Sequence, residues 1–357
     1  MFWLPIAISY FQYRNLTTAE GLQILSIYSL MIVVLEYPTG VIGDQYSHKF
    51  SVLSGLLSTA LGFFLLSMDG SYLFFLFSSS FVALGLSLIS GSDTALLHSV
   101  SMDFKKDYAK FNYQALLWTI FSTAVGSVLA SIYMPLPYLI TGIMFVISFL
   151  ILYSVNVSKE ISNSANIFHK GVEGLLYLKE STVVQSLIGV GVLVGTFTIS
   201  LKWFYNPLFE TMNIPLQYWG GLISIAMFLI AIGTKLYERN SERIHIKSVF
   251  SLFCLSIVFI GLTQSILLSL LGLFSVNTIR GYLQTQIDVY LNENLSSSVR
   301  ASVLSLKSLL IRLFSSGYIF ISSSVITNSR YILFFSVTAG VILIIGTISL
   351  WNKQFKT

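Results

Sequence analysis

The sequence predicts an all-α integral membrane protein whose twelve transmembrane helices form two pseudo-symmetric six-helix bundles. Three observations predict it. The first is composition: 55% of the 357 residues are hydrophobic and 10% are charged, with a mean hydropathy of +0.80. A soluble domain carries about 25% charged residues, so this chain has too little charge to cover a water-facing surface. The second is run length. Stretches such as SYLFFLFSSSFVALGLSLIS (71–90) and YLITGIMFVISFLILYSV (138–155) are continuously apolar over close to the ~20 residues that span a hydrocarbon core. A membrane β-barrel would instead alternate polar and apolar positions in ~10-residue strands. The third is the placement of lysine and arginine, which orders the segments across a bilayer.

The hydrophobic segments run over 1–14, 21–42, 50–68, 71–97, 112–134, 138–156, 183–206, 217–235, 248–263, 266–289, 301–323 and 331–351. The first is short for its role, because fourteen residues of helix rise ~21 Å against a ~30 Å core; it is expected to be short or truncated. The ninth is short as well. Alternating these segments across a membrane puts fourteen lysines and arginines on one side and three, Arg14, Lys202 and Arg330, on the other. The positive-inside rule makes the richer side cytoplasmic, with both termini there. Arg280, Lys307 and Arg312 fall inside segments.

The longest polar stretch, 157–181, divides the chain into bundles 1–156 and 182–357. Its IFHKGVEGLLYLKE portion (167–180) places Phe168, Val172, Leu175, Leu176 and Leu178 near one face, as an amphipathic helix on the inner membrane surface would; an ordinary solvated linker is the alternative. Six segments, a linker and six more is the layout of a duplicated transporter.

The second segment ends in EYPTGVIGDQYSHK (36–49). Here Glu36, Gly40 and Asp44 recur every four residues and share one helical stripe, on which Gly40 would admit a neighbouring helix. Layout and motif together resemble the major facilitator superfamily, whose loop between helices 2 and 3 reads G-x-L-a-D-r-x-G-r-k. Gly40, Asp44 and Lys49 match it outright; Ile42, Gly43 and His48 match conservatively; Gln45 and Ser47 depart from it. The preceding Glu36, Pro38, Thr39 and Gly40 resemble the E-x-P-T-G variant of a prokaryotic branch often labelled drug or antibiotic efflux. Ser90–Leu97 and Arg300–Leu306 resemble that branch too. The helix-5 glycine–proline motif of the family's antiporters and its helix-4 arginine have no counterpart in 112–134 or 71–100.

The resemblance implies a secondary transporter in the cell membrane. It would work as a monomer by alternating access and export a small amphipathic or antibiotic-like compound, with protons as a possible coupling ion. Uptake of a small metabolite is the runner-up, and a non-transporting protein that keeps the fold is a further alternative. The resemblance also implies that Asp44, with Gly40, Pro38 and Lys49, forms an inner gate against the helix that begins near Arg300. The candidates for coupling or substrate binding are Glu36, Asp93, Arg280 and Arg312, since ionisable groups inside a membrane are costly unless paired or turned to a cavity. Glu36 has two readings, a structural carboxylate beside the Pro38 kink or a protonation site, and Asp93 is open between a structural pair and an inner charge cluster. Arg312 lies about 18 Å into its helix and is open between a structural ion pair, a counter-ion for Glu36 or Asp93, and a contact for an anionic group. Lys307 is expected to snorkel, and Lys202 with Trp203 to anchor the outer interface. The stripe Ser122, Gly126 and Ala130 is expected to pack helices.

Other classes find no support. His48, His98, His169 and His245 fall at segment ends or in loops, and the chain has one cysteine, Cys254, in an apolar run. No metal set, no H-E-x-x-H and no Walker A loop is present, so neither an enzyme nor a bound cofactor is expected. The net charge of +5 reports orientation rather than a nucleic-acid partner. Residues 1–15 lack a basic leader and a cleavage site, so no signal peptide is expected.

Overall fold

The computed structural model describes residues 1–156, 182–240, 245–295, 297–326 and 331–350. The expected linker with its amphipathic stretch lies outside the described residues. Every described element is a helix: a 3₁₀ turn over Leu4–Ile6, then α1 (Ala7–Tyr13), α2 (Thr18–Gln45), α3 (His48–Leu66), α4 (Tyr72–Ile89), α5 (Ser92–Val100), α6 (Phe104–Ile132), α7 (Leu136–Ser154), α8 (Thr182–Thr211), α9 (Leu216–Asn240), α10 (Ile246–Ile260), α11 (Ile266–Asn294), α12 (Ser297–Ile326) and α13 (Tyr331–Leu350). Among the described residues ten stretches are long and apolar enough to cross a membrane, α4 and α5 counting as one. The chain is therefore a multi-pass membrane protein. The first segment forms only the 3₁₀ turn and the seven residues of α1, and α10, with fifteen residues, is also shorter than a span.

The helices outrun their apolar cores. Polar ends continue α6 back to Phe104 and α9 on to Asn240, so Lys105, Lys106, Lys110, Lys235 and Arg239 are helical rather than in loops. The start signals are chemical. Thr17 and Glu20 make a reciprocal capping box for α2, and the Asp103 carboxylate accepts the Lys106 N–H at 3.2 Å to start α6, each satisfying an orphan donor of a first turn. Between α2 and α3 only Tyr46 and Ser47 leave the helix, and Ser47 caps α3 by accepting the Phe50 N–H at 3.0 Å.

The fourth segment, expected as one helix over 71–97, is two. Gly91 between α4 and α5 adopts φ +80, a left-handed conformation that glycine enters without a Cβ penalty. A Cβ there would meet nothing within 4 Å, so the cost of Gly91→Ala comes from the backbone alone. We expect a loss of about 1–2 kcal/mol in denaturation of the detergent-solubilised protein. An unchanged stability would show that the break closes into continuous helix.

The described chain divides into two compact units, Met1–Ala165 with Pro215–Leu222, and Asn166–Ile214 with Ile223–Thr357. In the first, α3 packs between α4 and α7, and α4 also packs on α2. The α3–α4 approach is set by small residues: a Cβ on Gly85 would sit 2.5 Å from the Gly55 carbonyl. The start of the chain packs on α6, where a Cβ on Gly126 would sit 2.0 Å from the Phe2 carbonyl and where the Met1 amino group bonds the Ser122 hydroxyl. The small-residue stripe of α6 is thus a packing face. Arg14 pairs with Asp69, donates to the Ser67 carbonyl at 2.7 Å and lies 5.3 Å from the Tyr10 ring centroid.

In the second unit α8 is central and packs on α11, α12 and α13, while α10 packs on α11 and α13. The crossing of α9 and α11 is reciprocal: a Cβ on Gly233 would sit 1.9 Å from the Thr278 carbonyl, and one on Gly281 would sit 2.1 Å from the Ile230 carbonyl. Each unit, taken by itself, repeats one bond pattern. The Thr39 hydroxyl lies 2.7 Å from the Leu35 carbonyl on its own helix and 3.0 Å from the Ser87 carbonyl on α4. The Thr234 hydroxyl lies 3.3 Å from Ile230 and 3.4 Å from Gly281 on α11 in the same way. Such a repeat is what an internal duplication leaves.

Candidate functional site

Two groups of polar residues stand out against the apolar packing. The first surrounds the break between α4 and α5. Pro38 lies inside α2, where it removes one backbone donor, and the neighbouring Thr39 hydroxyl ties this turn to α4. Gly40, expected to admit a neighbouring helix, stands in open space. The close approach belongs one turn on to Gly43, where a Cβ would come within 2.7 Å of the Ser92 hydroxyl oxygen at the start of α5. Ser90, the last residue before the break, donates to Glu36 Oε1 at 3.4 Å. The Glu36 carboxylate is otherwise exposed.

Asp93, expected to pair with a basic residue, turns back on its own helix. Its Oδ1 accepts the Thr94 N–H at 2.6 Å and lies 3.2 Å from the Thr94 hydroxyl. A carboxylate in a first turn is stabilised by the positive end of the helix dipole, which accounts for an acid here without a cationic partner. Lys49 reaches from α3 to the other end of such a dipole: its Nζ donates to the Val155 carbonyl at 2.5 Å, just past the end of α7. The side chain of Asp44 lies outside the described residues, and its backbone belongs to the last turn of α2.

The second group lies within the second unit, on α8, α11 and α12. Two contacts fix their register. Asn277 on α11 donates to the Tyr205 hydroxyl on α8 at 3.1 Å, and the Ser200 hydroxyl on α8 lies 3.5 Å from the Ser315 carbonyl on α12. One turn from these contacts stand Lys202, Arg280 and Arg312, all half-buried. Arg280 and Arg312 fall at the midpoints of α11 and α12. Tyr205 faces Asn277, so Lys202, three residues before the one, and Arg280, three residues after the other, come to neighbouring levels, and Arg312 lies three residues before Ser315, the partner of Ser200. Its Nζ sits 4.4 Å from the Trp203 ring centroid, and Trp203 is 2% exposed. Lys202 and Trp203 are therefore interior residues of this unit rather than the expected interfacial anchors, because α8 is covered by its neighbours along most of its length.

Lys307 also departs from expectation. It does not snorkel; it is 4% exposed and pairs with Asp288 on α11. The pair lies about two turns from Arg280 along α11. Among the described residues the ion pairs seen are Arg14–Asp69 and Lys307–Asp288. Lys307 thus has a carboxylate, while among the described residues Lys202, Arg280 and Arg312 have none at ion-pair distance. A separate cavity of about 420 Å³ between α8, α12 and α13, lined by Phe197, Tyr318, Phe334 and Thr338 among others, holds none of these cations.

The Major Facilitator Superfamily model matches residues 1–319, nine-tenths of the chain. The chain belongs to the major facilitator superfamily. Solved structures agree on the fold of this superfamily member. The nucleoside transporter NupG is 15% identical with a TM-score of 0.81, covering 100% of this chain and 95% of its own. A POT family transporter in complex with 5-aminolevulinic acid is 14% identical with a TM-score of 0.77, covering 100% and 93%. A bacterial homologue of the human lysosomal transporter Spinster is 12% identical with a TM-score of 0.75, covering 98% and 91%. No curated protein sequence is recognisably similar to this chain. The superfamily member is thus a transporter by kinship and not an enzyme.

Proposed function

We propose that this chain is a secondary active transporter that moves a small amphipathic compound out of the cell by alternating access, as a monomer in the plasma membrane with both termini cytoplasmic. The observation that carries the reading is the set of ionisable side chains at mid-depth of α8, α11 and α12 in a major facilitator chain. Charges placed there are costly and mark substrate or ion pathways. The direction rests on the resemblance of Glu36–Gly40, Ser90–Leu97 and Arg300–Leu306 to the efflux branch. The apolar cavity beside α13 is of a size that suits a small amphiphile.

Asp44, with Pro38, Gly40 and Lys49, is proposed as the inner gate, its carboxylate meeting the positive N-terminal end of another helix. Proton coupling is assigned to Glu36, which stands free of any helix cap at the break of the fourth span, with Asp93 as the second candidate. In proteoliposomes Glu36→Gln should lose the dependence of flux on an imposed pH gradient; retention of that dependence in both Glu36→Gln and Asp93→Asn ends the coupling proposal. Export itself is tested by growth inhibition. Cells expressing the chain should resist at least one compound of an amphipathic antibiotic panel, and cells expressing Arg312→Gln should not. Heightened sensitivity to a compound would instead indicate uptake, and an unchanged panel would remove the export reading.

A further inference from the structure

A cluster of like charges in a low-dielectric interior is unfavourable unless something of opposite sign joins it. Lys202, Arg280 and Arg312 come from three different helices, and contacts on either side hold them at neighbouring levels: Asn277 to Tyr205 across α11 and α8, and Ser200 to Ser315 across α8 and α12. Beside Arg312, a Cβ on Gly195 would come within 2.6 Å of the Ile311 side chain, so α8 and α12 pack closely there. Each cation keeps partial exposure, and the carboxylate of α11 nearest to Arg280 in sequence, Asp288, is taken by Lys307. Guanidinium groups bind carboxylate and phosphate in a forked, bidentate geometry, and an ammonium adds a third charge-assisted donor.

We infer that the transported compound carries a carboxylate or phosphate group, which Lys202, Arg280 and Arg312 bind at mid-depth of the second unit. The inference rests on the transport reading and supplies its substrate class, an amphipathic organic anion. Lys307 is no part of the site, because its charge is already neutralised. Trp203 reports occupancy: an anion on Lys202 alters the cation lying over the indole ring.

The test uses purified protein in nanodiscs of zwitterionic lipid, with Trp203 emission and thermal unfolding as readouts. The probes are benzoate against benzamide, succinate against succinamide, and a hexose phosphate against the free hexose. At least one anion should bind about tenfold or more tightly than its neutral partner, shift the emission, and raise the unfolding temperature. Trp203→Phe should lose the emission response and keep the thermal one. Arg280→Gln and Arg312→Gln should each weaken binding about tenfold or more, and Arg280→Lys and Arg312→Lys, which retain the charge, should recover part of it.

Equal binding of neutral and anionic partners, or no response to any of the anions, overturns the inference. So does displacement of the anion by phosphatidylglycerol added to the nanodisc, which would make a lipid headgroup the ligand. Anion binding without flux would remove the transport reading and leave this site standing. Flux of a neutral or cationic compound that survives in a Lys202→Gln, Arg280→Gln, Arg312→Gln triple variant would do the reverse.

Discussion

Asp288→Asn is expected to lower the stability of the protein by about 2–4 kcal/mol, more than an exposed pair is worth and short of the full penalty for breaking a wholly buried one. The size follows from where the pair is buried. Lys307 is 4% exposed, whereas the side chain of Asp288 keeps 42% of its exposure. Without Asp288 the ammonium stays inside the protein, pressed toward Gly191 of α8, where even a Cβ would come within 2.9 Å of Lys307 Cε. Lys307→Met should cost clearly less, because it leaves a carboxylate that water already reaches. The double variant Asp288→Asn with Lys307→Met removes both charges and should recover much of the loss. Denaturation of the four proteins in one detergent checks this order. Equal losses in the two single variants would show that burial of the lysine does not set the energetics.

Gly281→Val is expected to have the next largest effect. A first side-chain carbon on Gly281 would fall 2.1 Å from the Ile230 carbonyl and one on Gly233 would fall 1.9 Å from the Thr278 carbonyl. The atoms in the way belong to backbone, which cannot rotate aside, so α9 and α11 must separate. Overpacking of this kind costs about 1–3 kcal/mol. Separation would also break the hydrogen bonds from Thr234 and Thr285 that cross this contact. Arg280 is next to Gly281, so the variant should also weaken anion binding. Gly40→Ala is the contrasting case, since a Cβ there meets nothing within 4 Å. Binding and unfolding temperature measured on Gly281→Val, Gly233→Ala and Gly40→Ala should rank in that order of damage. Wild-type behaviour of Gly281→Val would mean that the two helices do not need their close crossing.

Hydropathy made the membrane architecture legible because lipid demands long apolar runs, and the same signal hid what happens inside them. A run such as 71–97 reads the same whether or not Gly91 breaks it, and only the serine–glycine–serine sequence around Gly91 hints at a break. Lys307 and Lys202 were misplaced for a related reason. A residue next to an apolar one can face lipid or protein, and a single sequence carries no mark of which side α8 covers. The polar ends of α6 and α9 were missed because apolar character marks the hydrocarbon core rather than the helix. The N-cap Asp103, with Asp107 in the first turn behind it, was the readable clue. Asp93 was expected to need a partner because the new helix start that stabilises it was not foreseen. Arg280 and Arg312 were legible as charges at mid-depth, but their common neighbour Lys202 emerged only once α8, α11 and α12 were placed side by side.

Anion transport by this chain is read from solute flux in proteoliposomes, with labelled carboxylates and organic phosphates run beside their neutral counterparts. Saturable flux of at least one anion is expected, with slower flux of its neutral partner and loss of the anion flux in the Lys202→Gln, Arg280→Gln, Arg312→Gln triple variant. Absence of flux for every compound, with protein shown to be folded and inserted, would contradict the claim that this chain is a transporter.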